Sequence, residues 1–143
     1  MDGADRPVPR IDRPILEDVR DRLRTASQFE TVVVRTTEGQ LRLEAVFASI
    51  VNQPSLVERS LDVRWYTNDD FRIHYREVWD DRSWAMRWDR HPNSHNDRDH
   101  VHPPPDASTP GADRTWPSDY RDVLALVLDA IRDRSEELWN RSE

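Results

Sequence analysis

Apolar and polar residues alternate with a period of two through most of residues 30–89, and this alternation constrains the fold more than any other property of the chain. A period of two sends successive side chains to opposite faces of an extended strand, whereas a helix needs a period near 3.6. The run TVVVRTTEGQLRLEAVFASI contains two strand-forming segments around Glu38-Gly39, a hairpin signal. After Pro54, the segments SLVERSLDVRWYT, FRIHYREVW and SWAMRWD are separated by NDD and DDR, both tight-turn sequences. The expectation is a five-stranded antiparallel meander. Alternation assigns Leu61, Val63, Trp65, Phe71, Ile73, Tyr75, Trp84, Met86 and Trp88 to its buried face. The other, solvent-facing side receives Arg64, Tyr66, Arg72, His74, Arg76, Arg87 and Asp89.

Helical periodicity flanks the meander. Pro14 fits the first turn of a helix capped near Asp12, and Ile15, Leu16, Val19, Leu23 and Ala26 fall on one side. A final helix, capped by Ser118 or Asp119, carries the stripe Tyr120, Val123, Leu124, Val127, Leu128, Ile131 and Leu138, which must be buried against the sheet. Residues 1–13 lack periodicity and read as a flexible arm; residues 14–143 read as a single domain, with an irregular proline-rich loop over 103–117. The expected fold class is therefore α+β: N-terminal helix, five-stranded antiparallel meander sheet, His/Pro-rich loop, and a C-terminal helix packed on the sheet.

All 21 basic residues are arginine, and 28 acidic residues bring the net charge to −7. An Asp-rich, lysine-free composition is similar to that of proteins from salt-in halophilic archaea; a GC-rich genome that encodes Arg for Lys gives the same bias. Without cysteine there is no disulfide framework, thiolate metal site or thiol nucleophile. No apolar run reaches membrane-spanning length, so a soluble, cytoplasmic protein with no membrane partner is expected. Acidic charge opposes general nucleic-acid binding, so any RNA site must concentrate positive potential locally. Eight arginines balance eight acids from Arg59 to Arg98, which makes the middle of the chain the place for such a site.

Four of the five histidines lie between Trp84 and Pro105: His91, His95, His100 and His102. Three readings apply. His100 and His102 fall on the same side of an extended segment and could share a metal ion with His91, His95 or an aspartate. Alternatively, His100, His102 and His91 could serve as general acid and base near neutral pH, with Arg87 and Arg90 holding phosphate. In the third reading the imidazoles only hydrogen-bond a loop to the sheet. On the polar sheet face, Arg64, Arg72, Arg76, Tyr66 and His74 have the chemistry to bind phosphates and stack on bases.

The order of the aromatic strand FRIHYREVW, the strand end RWDRHP, the His-x-His of DHVHP and the closing helix VLALVLDAI resembles TumE-type toxins of toxin–antitoxin modules, over Phe71 to Ile131. The helix, meander, helix order is also similar to RelE-like ribonucleases at the level of fold. The resemblance implies a toxin acting on RNA or translation and neutralised by a cognate antitoxin, usually a small DNA-binding protein. The expected activity is a metal-independent endoribonuclease with no cofactor, RNA as substrate, and a homodimer left open. Two alternatives belong to other classes: a non-enzymatic protein-interaction module and a histidine-based metal-binding protein. The long proline loop and Asp-rich surface depart from the family pattern.

Overall fold

The computed structural model describes residues 10–91, 99–107 and 112–141. Helix α1 (Arg13–Arg24) is followed by strands β1 (Phe29–Thr37), β2 (Gln40–Phe47), β3 (Leu56–Trp65), β4 (Phe71–Trp79) and β5 (Ser83–Arg90). Strands β6 (Asp99–His102) and β7 (Ala112–Asp113) and helix α2 (Tyr120–Asn140) complete the described elements. The strands form one antiparallel sheet in chain order.

The α+β class and the terminal helices are as the sequence implies, but the strand number is not. The sheet has six strands of at least four residues, where five were expected, and a two-residue seventh. The sixth lies in the stretch assigned to an irregular His/Pro loop. Its alternation covers only His100, Val101 and His102 before Pro103, too short a run to register as periodic. Pairing with β5 supplies the missing order: Arg87 lies opposite His102, Trp88 opposite Val101 and Asp89 opposite His100.

Local rules account for the ends of the elements. Asp12 caps α1 by accepting from the Ile15 N–H at 3.2 Å, with proline in the first turn. Asp119, one of the two expected caps, accepts from the Arg121 N–H at 2.8 Å to open α2. At the other end of α2, Gln53 Nε2 donates to the Leu138 and Arg141 carbonyls at 2.7 and 3.0 Å, satisfying acceptors the helix itself cannot. The Glu38-Gly39 turn has positive φ at both residues, 53° and 79°, the twist that suits a two-residue hairpin.

Both helices cover the same face of the sheet. Leu16, Val19 and Leu23 of α1 and Val123, Leu124, Val127 and Ile131 of α2 share one buried cluster with Leu61, Val63, Trp65, Phe71, Ile73, Tyr75 and Trp88. Trp84 and Met86 pack against it while only partly buried. No helix among the described residues is long and apolar enough to cross a membrane. Residues 1–9 of the expected arm, His95, and positions 108–111 of the proline loop lie outside the described residues. Arg10 and Asp12 are tied to the end of β3, since the Thr67 N–H donates to the Arg10 carbonyl at 2.8 Å and the Asp12 N–H to the Trp65 carbonyl at 2.7 Å.

Candidate functional site

Because the helices occupy one face, the other face of the sheet keeps its polar side chains, and strand register arranges them in rows. One row runs Glu44, Asp62, His74, Arg87, His102 across β2 to β6. The adjacent row runs Arg64, Arg72, Asp89, His100 across β3 to β6. Cross-strand neighbours lie about 4.5–5.5 Å apart. Arg64 lies opposite Arg72, with its head held by Asp62 Oδ1 at 3.5 Å and by the Gln40 side-chain oxygen at 3.2 Å.

Toward β2 the face forms a groove of about 380 Å³ that includes Arg64, Arg72, His74 and Arg76. Burial, followed by Arg87, Arg72 and Arg76, pushes the His74 imidazole down to about 4, so it is neutral at pH 7. Its Nε2 is buried with no hydrogen-bond partner among the described residues. Burial and then Arg87 lower the Arg72 guanidinium below the usual arginine range. Asp62 is raised by burial, against the opposing effect of Arg42 and Arg64.

A second, larger groove of about 780 Å³ opens at the end of the face where β3 turns into β4. Among the described residues, Arg10, Arg13, Arg64, Arg72 and Arg90 line it with a single acid, Asp70, beside Tyr66, Phe71 and His91. Arg64 and Arg72 border both grooves. In a chain of net charge −7, this is the local concentration of positive charge that binding a polyanion requires.

Next to this groove, at β5 and β6, the polar face closes over. Asp89 is fully buried, and His100 and His102 are 1% and 3% exposed, a correction to the solvated face that alternation alone implies. One oxygen, Asp89 Oδ2, gathers Arg87 Nε at 3.0 Å, His102 Nε2 at 2.9 Å, and His91 Nε2 and His100 Nε2 at 3.4 Å each. The His91 and His100 rings meet edge to face at 4.9 Å, as do those of His100 and His102. His91 retains 44% exposure of its side chain and borders the larger groove.

The structure thus brings His91, His100, His102 and Arg87 together, with Arg72 as the cross-strand neighbour of Asp89. It does not place Arg90 with them. One residue after Asp89, Arg90 turns to the helix-covered side, where it donates to Asp99 Oδ1 at 2.8 Å and to the Trp116 and Pro117 carbonyls at 3.1 and 2.7 Å. Its head is thereby fixed to the proline-rich segment rather than presented to a phosphate. Three site members, Asp89, Arg10 and Arg13, carried no role in the sequence. Asp89 was assigned to the polar face but not to the histidines, although a period of two puts residues 87, 89 and 91 on one side. Arg10 and Arg13 both fell in the expected N-terminal arm, residues 1–13, and no periodic signal could have placed them in a groove.

A family model described as Toxin TumE matches residues 12–135. No curated protein and no solved structure matches the chain.

Proposed function

Since this chain belongs to the TumE toxin family, and is thereby the toxin component of a toxin–antitoxin module with an antitoxin as its partner, we propose that it acts by cleaving RNA on the polar face of its sheet. The observation that carries this reading is the larger groove, where among the described residues Arg10, Arg13, Arg64 and Arg72, beside the internally bonded Arg90, meet one lining acid, Asp70, in an otherwise acidic protein. Guanidinium forks match phosphate oxygens, and Tyr66 and His91 offer ring faces for bases. Arg64, Arg72, Arg76 and Arg87 are the phosphate-binding set on the sheet face.

Cleavage transfers the 2′-oxygen onto the adjacent phosphorus and breaks the bond from phosphorus to the 5′-oxygen. A base removes the 2′-hydroxyl proton, an acid returns a proton to the departing 5′-oxygen, and cations offset charge on the crowded phosphorane. His91 is the histidine of the cluster with an open side, and neutral His74 stands on the other side of Arg72. These two are the groups assigned to contact the substrate. His100 and His102, being buried, act through Asp89 and His91 as positioning residues instead of touching RNA. The antitoxin is taken to be a small DNA-binding protein, and the site of action the cytoplasm.

Expression of the wild type, in a host without the antitoxin, should arrest growth and fragment RNA. His91→Ala and Arg72→Ala chains at equal soluble level should do neither. Arrest by the wild type with intact RNA would leave the toxin and remove the ribonuclease.

A further inference from the structure

The buried end of the polar face has an arrangement of lone pairs that hydrogen bonding does not explain. Asp89 Oδ2 has four nitrogen atoms at 2.9–3.4 Å, whereas Asp89 Oδ1, equally buried, has no hydrogen-bond partner among the described residues. His100 is 1% exposed, its Nδ1 has no partner among the described residues, and its Nε2 stands 3.4 Å from the carboxylate, long for a hydrogen bond. Buried polar atoms are nearly always satisfied, so two of them without a partner among the described residues, Asp89 Oδ1 and His100 Nδ1, leave this cluster with capacity for a cation.

We propose that Asp89, His100 and His102 bind one divalent d-block cation of the zinc class, with the remaining coordination position facing His91 and the larger groove. One ligand atom from each of the three residues falls within 4.8 Å of the other two. Bonds of about 2.0–2.1 Å in a tetrahedral shell put neighbouring ligand atoms about 3.3–3.4 Å apart. The separation of His100 Nε2 from the carboxylate, 3.4 Å, matches that edge, while His102 Nε2, at 2.9 Å, stands inside it and would move outward on binding. Two imidazoles and one carboxylate suit zinc, iron, cobalt or nickel, and disfavour magnesium and calcium, which require oxygen donors. Arg87, donating to the same carboxylate at 3.0 Å, fixes its orientation as partners outside a metal's own ligands commonly do.

Register explains how the site forms. Asp89 and His100 are direct cross-strand partners, and His102 faces Arg87 one step along the same face, so pairing β5 with β6 assembles all three ligands. Three protein ligands with one open position is the arrangement of catalytic rather than purely structural zinc sites. The cation would also add positive charge beside arginines already in place for a polyanion. Metal uptake is independent of the ribonuclease reading and is measured without RNA.

The full chain is stripped with chelator, dialysed, and titrated with zinc sulfate by calorimetry, with metal content measured after a second dialysis. About one zinc per chain is expected, with a zinc-dependent rise in Tm and none for magnesium. Cobalt substitution should give the intense visible bands of a tetrahedral nitrogen and oxygen site. His100→Ala/His102→Ala should abolish retention, and the isosteric Asp89→Asn should weaken affinity at least about 10-fold. His74→Ala, outside the cluster, should retain zinc at the wild-type level. Wild-type protein that retains no zinc, shows no zinc-dependent rise in Tm, or gives only octahedral cobalt bands overturns the assignment. So do folded variants of the cluster that keep full affinity.

Discussion

Glu77 is fully buried on the helix-covered side of the sheet, and protein donors replace the water it has lost. Arg134 of α2 reaches it with two bonds of 2.7 Å, Tyr75 donates its hydroxyl at 2.7 Å and Trp79 its indole N–H at 2.9 Å. Burial alone would raise this carboxyl, but the Arg134 and Tyr75 bonds hold it below the usual range. Arg134→Met would leave the charge buried without its cation, and denaturant titration should show a loss of about 3–5 kcal/mol. His74 behaves in the opposite way to a paired ion. Its folded pKa is depressed to about 4 from 6.5, so below pH 6.5 the unfolded chain takes up a proton that the folded one refuses. Stability should fall as pH drops from about 6.5 to 4, with no further contribution from this residue below that range. A His74→Gln chain should lose that part of the slope in pH-dependent urea titrations. At this scale the sequence was informative about faces and silent about burial. His100 and His102 do lie on the same side of an extended segment, as spacing implied. That they are buried around Asp89 depends on β6 closing the sheet, and one residue of register separates Asp89 in the cluster from Arg90 on the other face.

Among the elements, strands β1 to β5 were legible because each has enough alternation and a recognisable turn. The β1–β2 turn illustrates how far such reading goes. Gly39 at φ 79° meets the conformational demand, but Glu38 adopts φ 53° with a side chain that disfavours it. Glu38→Asn should therefore stabilise the protein by about 0.5–1 kcal/mol, and Gly39→Ala should cost about 1–2 kcal/mol, both measurable by thermal denaturation. The short β6 left no periodic trace, since two histidines around one valine, next to proline, read equally well as a polar loop. Its position is set by pairing with β5 and by Asp99, which accepts from Arg90 Nε and from the Trp116 N–H at 2.8 Å each. The proline-rich stretch is likewise held in place by contacts that composition does not encode: the Ala85 N–H donates to the Pro105 carbonyl at 2.6 Å and the Ala107 N–H to the Ala85 carbonyl at 3.1 Å.

For the molecule as a whole, the two sheet faces differ in what covers them, and the proposed function rests on that difference. Both helices cover one side, so the arginines of the other side are not covered by a helix, and the net charge of −7 is offset locally in one groove. Association with a single-stranded RNA should weaken as salt rises; Arg72→Ala should bind several-fold less tightly and reduce the salt slope by about 1. The family was legible from short motifs in the second half of the chain, and the match extends over residues 12–135. The groove was not legible, because Arg10 and Arg13 come to it from outside the alternating strands. The most direct test is to incubate the purified chain with RNA and identify the ends of the products. Fragments with 2′,3′-cyclic phosphate and 5′-hydroxyl ends, lost with His91→Ala and Arg72→Ala, are the predicted result. RNA left intact by folded, antitoxin-free protein, or cleavage that both variants retain in full, would contradict it.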